Sequence, residues 1–124
     1  MTRQEQTGKR NLDFSKWVRI NLPDSYEGFL VSDLDFVLMD EATKKFALVE
    51  VKMYGGPKKK VHWQKRMFNR LDKWLKIGVL SDPEWIYLGF YWVVVSNTAP
   101  NNSRRILLNG EEVTEEELIE KLSF

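Results

Sequence analysis

The sequence predicts an α/β domain in which a sheet packs against helices, and three observations carry that prediction. Two runs rich in β formers, FLVSDLDFVLM at 29–39 and FALVEVKM at 46–53, are separated only by the turn-like DEATKK. A segment of helical periodicity follows at 58–77, and the nearly continuous apolar run WIYLGFYWVVV occupies 85–95. With 124 residues, 43% hydrophobic and 30% charged, the chain has material for one core and not for two.

Taken in order, residues 1–11 show no apolar period and read as a flexible basic tail preceding a single domain at 12–124. Asp13 caps a short helix over 14–22, where Phe14, Trp17, Val18 and Leu22 recur near helical spacing until Pro23 stops it. The two β runs then form a hairpin. In the long helix, Trp63, Met67, Phe68, Leu71, Trp74 and Leu75 make the apolar stripe, cations fill the opposite face, and Gly78 stands at the end. Trp63 and Trp74 are therefore expected in the core. The apolar run at 85–95 suits a central strand covered on both sides. Arg105–Leu108 reads as a short edge strand, Asn109-Gly110 as a turn, and Thr114 with Glu117 as a capping box opening a last helix that ends at Leu122.

Composition excludes much chemistry. There is no cysteine, so disulfides, thiolate metal sites and Cys nucleophiles are absent, and a single histidine rules out sites built from two imidazoles. MTRQEQTGKR lacks the apolar segment of a secretory signal, and no run is long enough to span a membrane, so an intracellular, cytoplasmic setting is expected. The net charge of +1 conceals segregation. Residues 20–43 carry six acids and no base, whereas 44–76 carry eleven bases and two acids. Carboxylates beside a cationic surface suit a polyanion handled through a divalent metal; a solvated helix face is the plain alternative.

The hairpin turns this into a specific expectation. If Asp40 and Lys45 close the turn, facing residues have numbers that sum to 85, so Asp35 lies opposite Glu50 and Asp33 opposite Lys52, all on one side of the sheet. Facing Cβ atoms are about 4.5–5.5 Å apart, close enough for both carboxylates to ligate one Mg²⁺. A slip of one residue would send Glu50 to the other face. Glu-x-Lys alone says little, but Asp35 and Glu50 stand inside apolar strands, where an unpartnered acid is costly. Gln64 begins the helical row 64, 68, 71, 75 and is an amide able to reach water or phosphate, or else an ordinary boundary residue.

These residues resemble the PD-(D/E)XK nuclease superfamily, with its restriction-endonuclease-like fold. The resemblance rests on Asp35 in SDLDFVLM, the hairpin, Glu50-Val51-Lys52 in LVEVKMYGG, and Gln64 in HWQKRMFNRL, over about 29–75. It is similar to small stand-alone VRR-NUC-type members, in which a glycine-containing loop, here Gly55-Gly56, separates the Glu-x-Lys strand from a helix with an early Gln; Holliday-junction-resolvase-like members are a more distant comparison. The family's proline before the first acid is replaced by Leu34, or by Ser32 if Asp33 is the ligand. The resemblance implies a central mixed β-sheet flanked by helices in αβββαβ order. It also implies a metal-dependent endonuclease acting on DNA, with Mg²⁺ or Mn²⁺ held by Asp35, Glu50 and the main-chain carbonyl of Val51, Asp33 as the alternative first ligand and Glu27 as an outer contact. Lys52 would orient or deprotonate the attacking water, and Gln64 would position water or phosphate. A nucleic-acid-binding or assembly module that keeps the fold without catalysis is the alternative.

For contact with DNA the candidates are Lys58, Lys59 and Lys60 after the glycine loop, Lys65 and Arg66 on the helix, and Tyr54 beside the site. His62 at the helix start suits a surface role or a phosphate contact. The aromatic run at 85–92 would support a homodimer if one end were exposed.

Overall fold

The computed structural model describes residues 13–55 and 58–124, apart from the side chains of Ser25 and residues 58–61. The tail expected over 1–11 lies outside the described residues. The chain divides into two units, one ending at Val31 and one running from Ser32 to Phe124.

In the first unit, Asp13–Asn21 forms helix α1. Its apolar residues meet each other: the Phe14 and Trp17 rings stack with centroids 5.5 Å apart. No α1 residue is buried. Pro23 follows the helix, and Asp24 Oδ1 accepts from Tyr26 N at 2.9 Å to start a short 3₁₀ turn at Ser25–Glu27.

The second unit is built on one five-stranded sheet. Strands β1 (Phe36–Asp40), β2 (Lys45–Met53), β3 (Ile86–Val95), β4 (Ile106–Leu108) and β5 (Glu111–Val113) lie side by side in chain order. β2 and β3 are parallel and the other neighbours antiparallel, so the sheet is mixed. The parallel pair needs a crossover, which helix α2 (Lys58–Gly78) supplies. Phe68 of α2 stacks on Phe90 at 5.0 Å on one face of the sheet. On the other face Leu118 of helix α3 (Glu115–Leu122) joins Val49, Val93, Val95, Ile106 and Leu108 in the buried core. Alternation along the strands divides the two layers: Leu48, Glu50 and Lys52 share one face of β2, Val49 and Val51 the other. Thr114 Oγ1 accepts from Glu117 N at 3.1 Å while Thr114 N donates to Glu117 Oε1, so the capping box forms as its sequence suggests. Among the described residues no helix is long and apolar enough to cross a membrane.

Several expectations need correction. Residues 29–35 run as irregular chain, and β1 starts only at Phe36, because two Asp separated by one residue add polar groups where the ladder would have to continue. Only two strands precede α2, so the αβββαβ order is not met among the described residues. The helix does end at Gly78, though Gly78 keeps right-handed helical angles and leads into a 3₁₀ turn at Val79–Ser81. β3 is half-buried along most of its length, since α2 and α3 each cover only part of a face, and Gly89 at φ +117° accompanies a bulge against β2. β4 is internal, because the Asn109-Gly110 turn folds β5 onto its outer side. Trp63 is half-buried, but Trp74, on the flank of the α2 stripe, is 61% exposed.

Candidate functional site

The site begins with a turn. Asp40 Oδ1 accepts from Ala42 N at 2.9 Å and from Thr43 N at 3.4 Å, an arrangement that closes a four-residue loop and, with hydrogen bonding from Thr43 and Ala42 leading, holds the Asp40 carboxyl below its usual range. Lys44 completes the loop in the left-handed region at φ 57°, and its carbonyl accepts from Ile86 N at 2.9 Å, which ties the hairpin to the start of β3. The resulting register pairs Asp40 with Lys45 and Phe36 with Val49. One step further along, Asp35 falls against Glu50.

The contact is reciprocal. Asp35 N donates to Glu50 Oε1 at 3.3 Å, and Val51 N donates to Asp35 Oδ2 at 2.9 Å. Glu50 is only 1% exposed. Burial, then the Asp35 carboxyl beside it, pushes its pKa up to about 7, a rise that Lys52 only partly offsets. Lys52 Nζ lies 3.5 Å from Glu50 Oε2. Within a strand the N–H and C=O of one residue point the same way, so the Val51 carbonyl lies on the Asp35 side of β2. Two carboxyls thus meet with an ammonium next to one of them, and the Val51 carbonyl lies along the same edge of the strand.

Gln64 is the second buried polar residue of this layer, at 7% exposure. Its Nε2 donates to Ser32 Oγ at 3.0 Å, while Oε1 has no hydrogen-bond partner among the described residues. An acceptor buried without a donor from the chain fits a site that takes up water or another ligand. Trp92 is the parallel-strand partner of Glu50. Lys52 Nζ stands 5.9 Å from its ring centroid and Lys65 Nζ 5.1 Å, so two cations lie close to the indole.

Asp35, Glu50, Val51 and Lys52 are therefore brought together, and Gln64 lies on the helix packed over the same face. Asp33 is exposed on irregular chain, outside the β1–β2 ladder that was expected to set it opposite Lys52. Glu27 belongs to the other unit. Lys65 flanks Trp92, whereas Arg66 and His62 are simply exposed. Tyr54 has the Arg105 guanidinium 5.9 Å over its ring. The side chains of Lys58, Lys59 and Lys60 lie outside the described residues. Ser32 and Trp92 were not singled out by the sequence reading. Ser32 sits in the SDLD motif itself, but only the helix placement reveals it as the Gln64 partner; Trp92 reaches the site through a parallel register that includes a bulge, which periodicity does not specify.

A metal fits the donor chemistry: paired carboxylates, one buried and reluctant to ionise, gain most from a divalent cation. Among the described residues no group of three or more His, Cys, Asp or Glu is placed to hold one, so any further ligand would be main chain or water. No family model and no solved structure matches this chain. It is similar to an uncharacterized protein of Archaeoglobus fulgidus, with 38% identity over 76 residues covering 61% of this chain. The match spans half the length of that relative.

Proposed function

We propose that the protein is a metal-dependent endonuclease that hydrolyses phosphodiester bonds in DNA, on a restriction-endonuclease-like core. The observation that carries this reading is the meeting of Asp35 and Glu50 across the hairpin with Lys52 Nζ 3.5 Å from Glu50. Asp35, Glu50 and the Val51 carbonyl would hold Mg²⁺ or Mn²⁺, which when bound lowers the pKa of water and neutralises phosphate charge. Lys52, held by Glu50, supplies an ammonium where negative charge develops on the phosphate and donates to the attacking water. Gln64, anchored through Nε2 by Ser32, keeps Oε1 as an acceptor to orient that water. No histidine or cysteine is required.

Cleavage of supercoiled and single-stranded DNA with Mg²⁺, Mn²⁺ or EDTA, by the wild type and by Glu50→Ala and Lys52→Ala, tests the reading. Metal-dependent cutting that both substitutions abolish is the expected result. Equal cutting by all three proteins would refute the site. Metal-insensitive DNA binding with no cutting would favour a non-catalytic module.

A further inference from the structure

Beside the carboxylate pair, the α2 face of the sheet holds a cleft of about 380 Å³, bordered by Lys65, Asn69, Asp72, Phe90, Trp92 and Asn109. We infer that this cleft receives one unpaired nucleobase of the DNA strand, so that the substrate is single-stranded or frayed at the position next to the carboxylates. The inference rests on the nuclease reading for the identity of the ligand and adds to it the form of the substrate.

Four observations converge. The volume is near the lower end of the roughly 300–1,000 Å³ typical of small-ligand sites, enough for a single base and far too little for a base pair with its backbones. An aromatic floor is in place: Phe68, Phe90 and Trp92 pack with centroids 5.0–6.3 Å apart, and Trp92 is half-buried, not sealed. A base inside a duplex has both faces covered by its stacked neighbours, so an aromatic floor can be used only by an unpaired one.

The rim has the polar groups a base edge needs. Asn109 Oδ1 accepts from Trp92 N at 2.8 Å, which fixes that amide and leaves its NH₂ group for a ligand, while Asn69 is exposed on α2 with both ends of its amide. Asp72 does not repel a polyanion outright: Lys76 lies 2.8 Å from it, and Tyr87 donates to it at 2.7 Å.

Position and charge link the cleft to the chemistry. Trp92 and Glu50 are register partners on neighbouring strands, which run about 4.8 Å apart, so a base on the indole places its own backbone by the carboxylates. Lys65, exposed and 5.1 Å over the Trp92 ring, occupies the face a base would take. Stacking of a base on an aromatic side chain is stronger than an exposed cation–π contact, so the base displaces the ammonium, and Lys65 is released to the adjoining phosphate.

Fluorescence anisotropy in EDTA, where no cutting occurs, tests this with labelled oligonucleotides: a single strand, a blunt duplex, and a single strand with abasic residues throughout. The single strand is expected to bind more tightly than the other two. Trp92→Leu should weaken single-strand binding about 5- to 150-fold, the stacking range expressed as affinity, with little effect on the abasic strand. Because Trp92→Leu can perturb packing, Asn69→Ala, at an exposed position, serves as the second variant, with a several-fold loss confined to base-bearing strands; thermal melts of both establish folding. Equal binding of normal and abasic strands, or a duplex bound as well as the single strand, overturns the inference even if cutting depends on Glu50 and Lys52. Base-dependent binding without metal-dependent cutting would instead sink the nuclease reading and leave the cleft standing.

Discussion

Replacing Glu50 by glutamine should stabilise the protein at neutral and alkaline pH while abolishing its proposed activity. The Glu50 carboxyl stands near 4.5 when exposed and is pushed up to about 7 in the fold by burial and by Asp35. Between these values the folded state binds the proton more tightly than the unfolded one, so stability falls as pH rises from 4.5 through 7 and is level above that. At 1.36 kcal/mol per unit, the cost of holding Glu50 ionised is roughly 3 kcal/mol at pH 8. A glutamine side chain has a similar shape, cannot ionise, and can donate its amide to Asp35. Denaturant melts in EDTA should therefore show the Glu50→Gln variant more stable by about 2–3 kcal/mol at pH 8, or roughly 8–12 °C in Tm, with the difference vanishing near pH 4. Titrating groups remote from Glu50 are common to both proteins and cancel in the comparison. A difference that is absent at pH 8, or that does not change with pH, would refute the account of Glu50 as an acid strained by its surroundings.

Three further outcomes follow from the same geometry. Because Mn²⁺ must displace the proton of Glu50, apparent Mn²⁺ affinity measured by calorimetry should rise with pH up to about 7 and then level off, and an affinity that does not vary between pH 5.5 and 8 would contradict the site. Lys52→Met should keep Mn²⁺ binding yet lose DNA cutting by on the order of 10²-fold or more, since the ammonium acts on developing charge and is not a ligand; loss of Mn²⁺ binding to the same extent would remove that distinction. Thr114→Ala removes the acceptor for Glu117 N at the start of α3 and should cost about 1 kcal/mol in a chemical melt without changing DNA binding.

How far the residues disclose the fold depends on the range of the interaction that decides each element. The hairpin register was legible because a local device sets it: the carboxyl of Asp40 accepts from two amides of its own loop, and Lys44 takes the left-handed angle. The capping box at Thr114 and Glu117 is equally local. Where partners come from distant sequence, composition and period do not decide the element. Residues 29–35 have strand-like composition but continue no ladder, so propensity alone misplaced the start of β1. β4 looked like an edge because β5, with its two glutamates, has little β propensity and forms only through the Asn109-Gly110 turn. The carboxylate pair was accessible from numbering alone, whereas Ser32 and Trp92 depended on where α2 settles and on a bulge at Gly89.

The charge balance explains why one buried acid dominates the behaviour of the site. With every group ionised, Asp35, Glu50 and Lys52 sum to a single negative charge, and the ammonium contacts Glu50 at 3.5 Å, longer than a close charge-assisted hydrogen bond. Lys52 is itself 25% exposed, so water weakens its pull on a carboxylate that water barely reaches. Burial and the neighbouring Asp35 therefore outweigh it, and a proton is the cheapest available compensation near neutral pH. In the proposed reading a divalent cation would do the same task with twice the charge, held by both carboxylates at once. The fold thus holds a charge poorly at the open end of a hairpin, and an inert scaffold would be more stable with an amide there, so a neutral substitution at residue 50 should separate stability from the proposed activity.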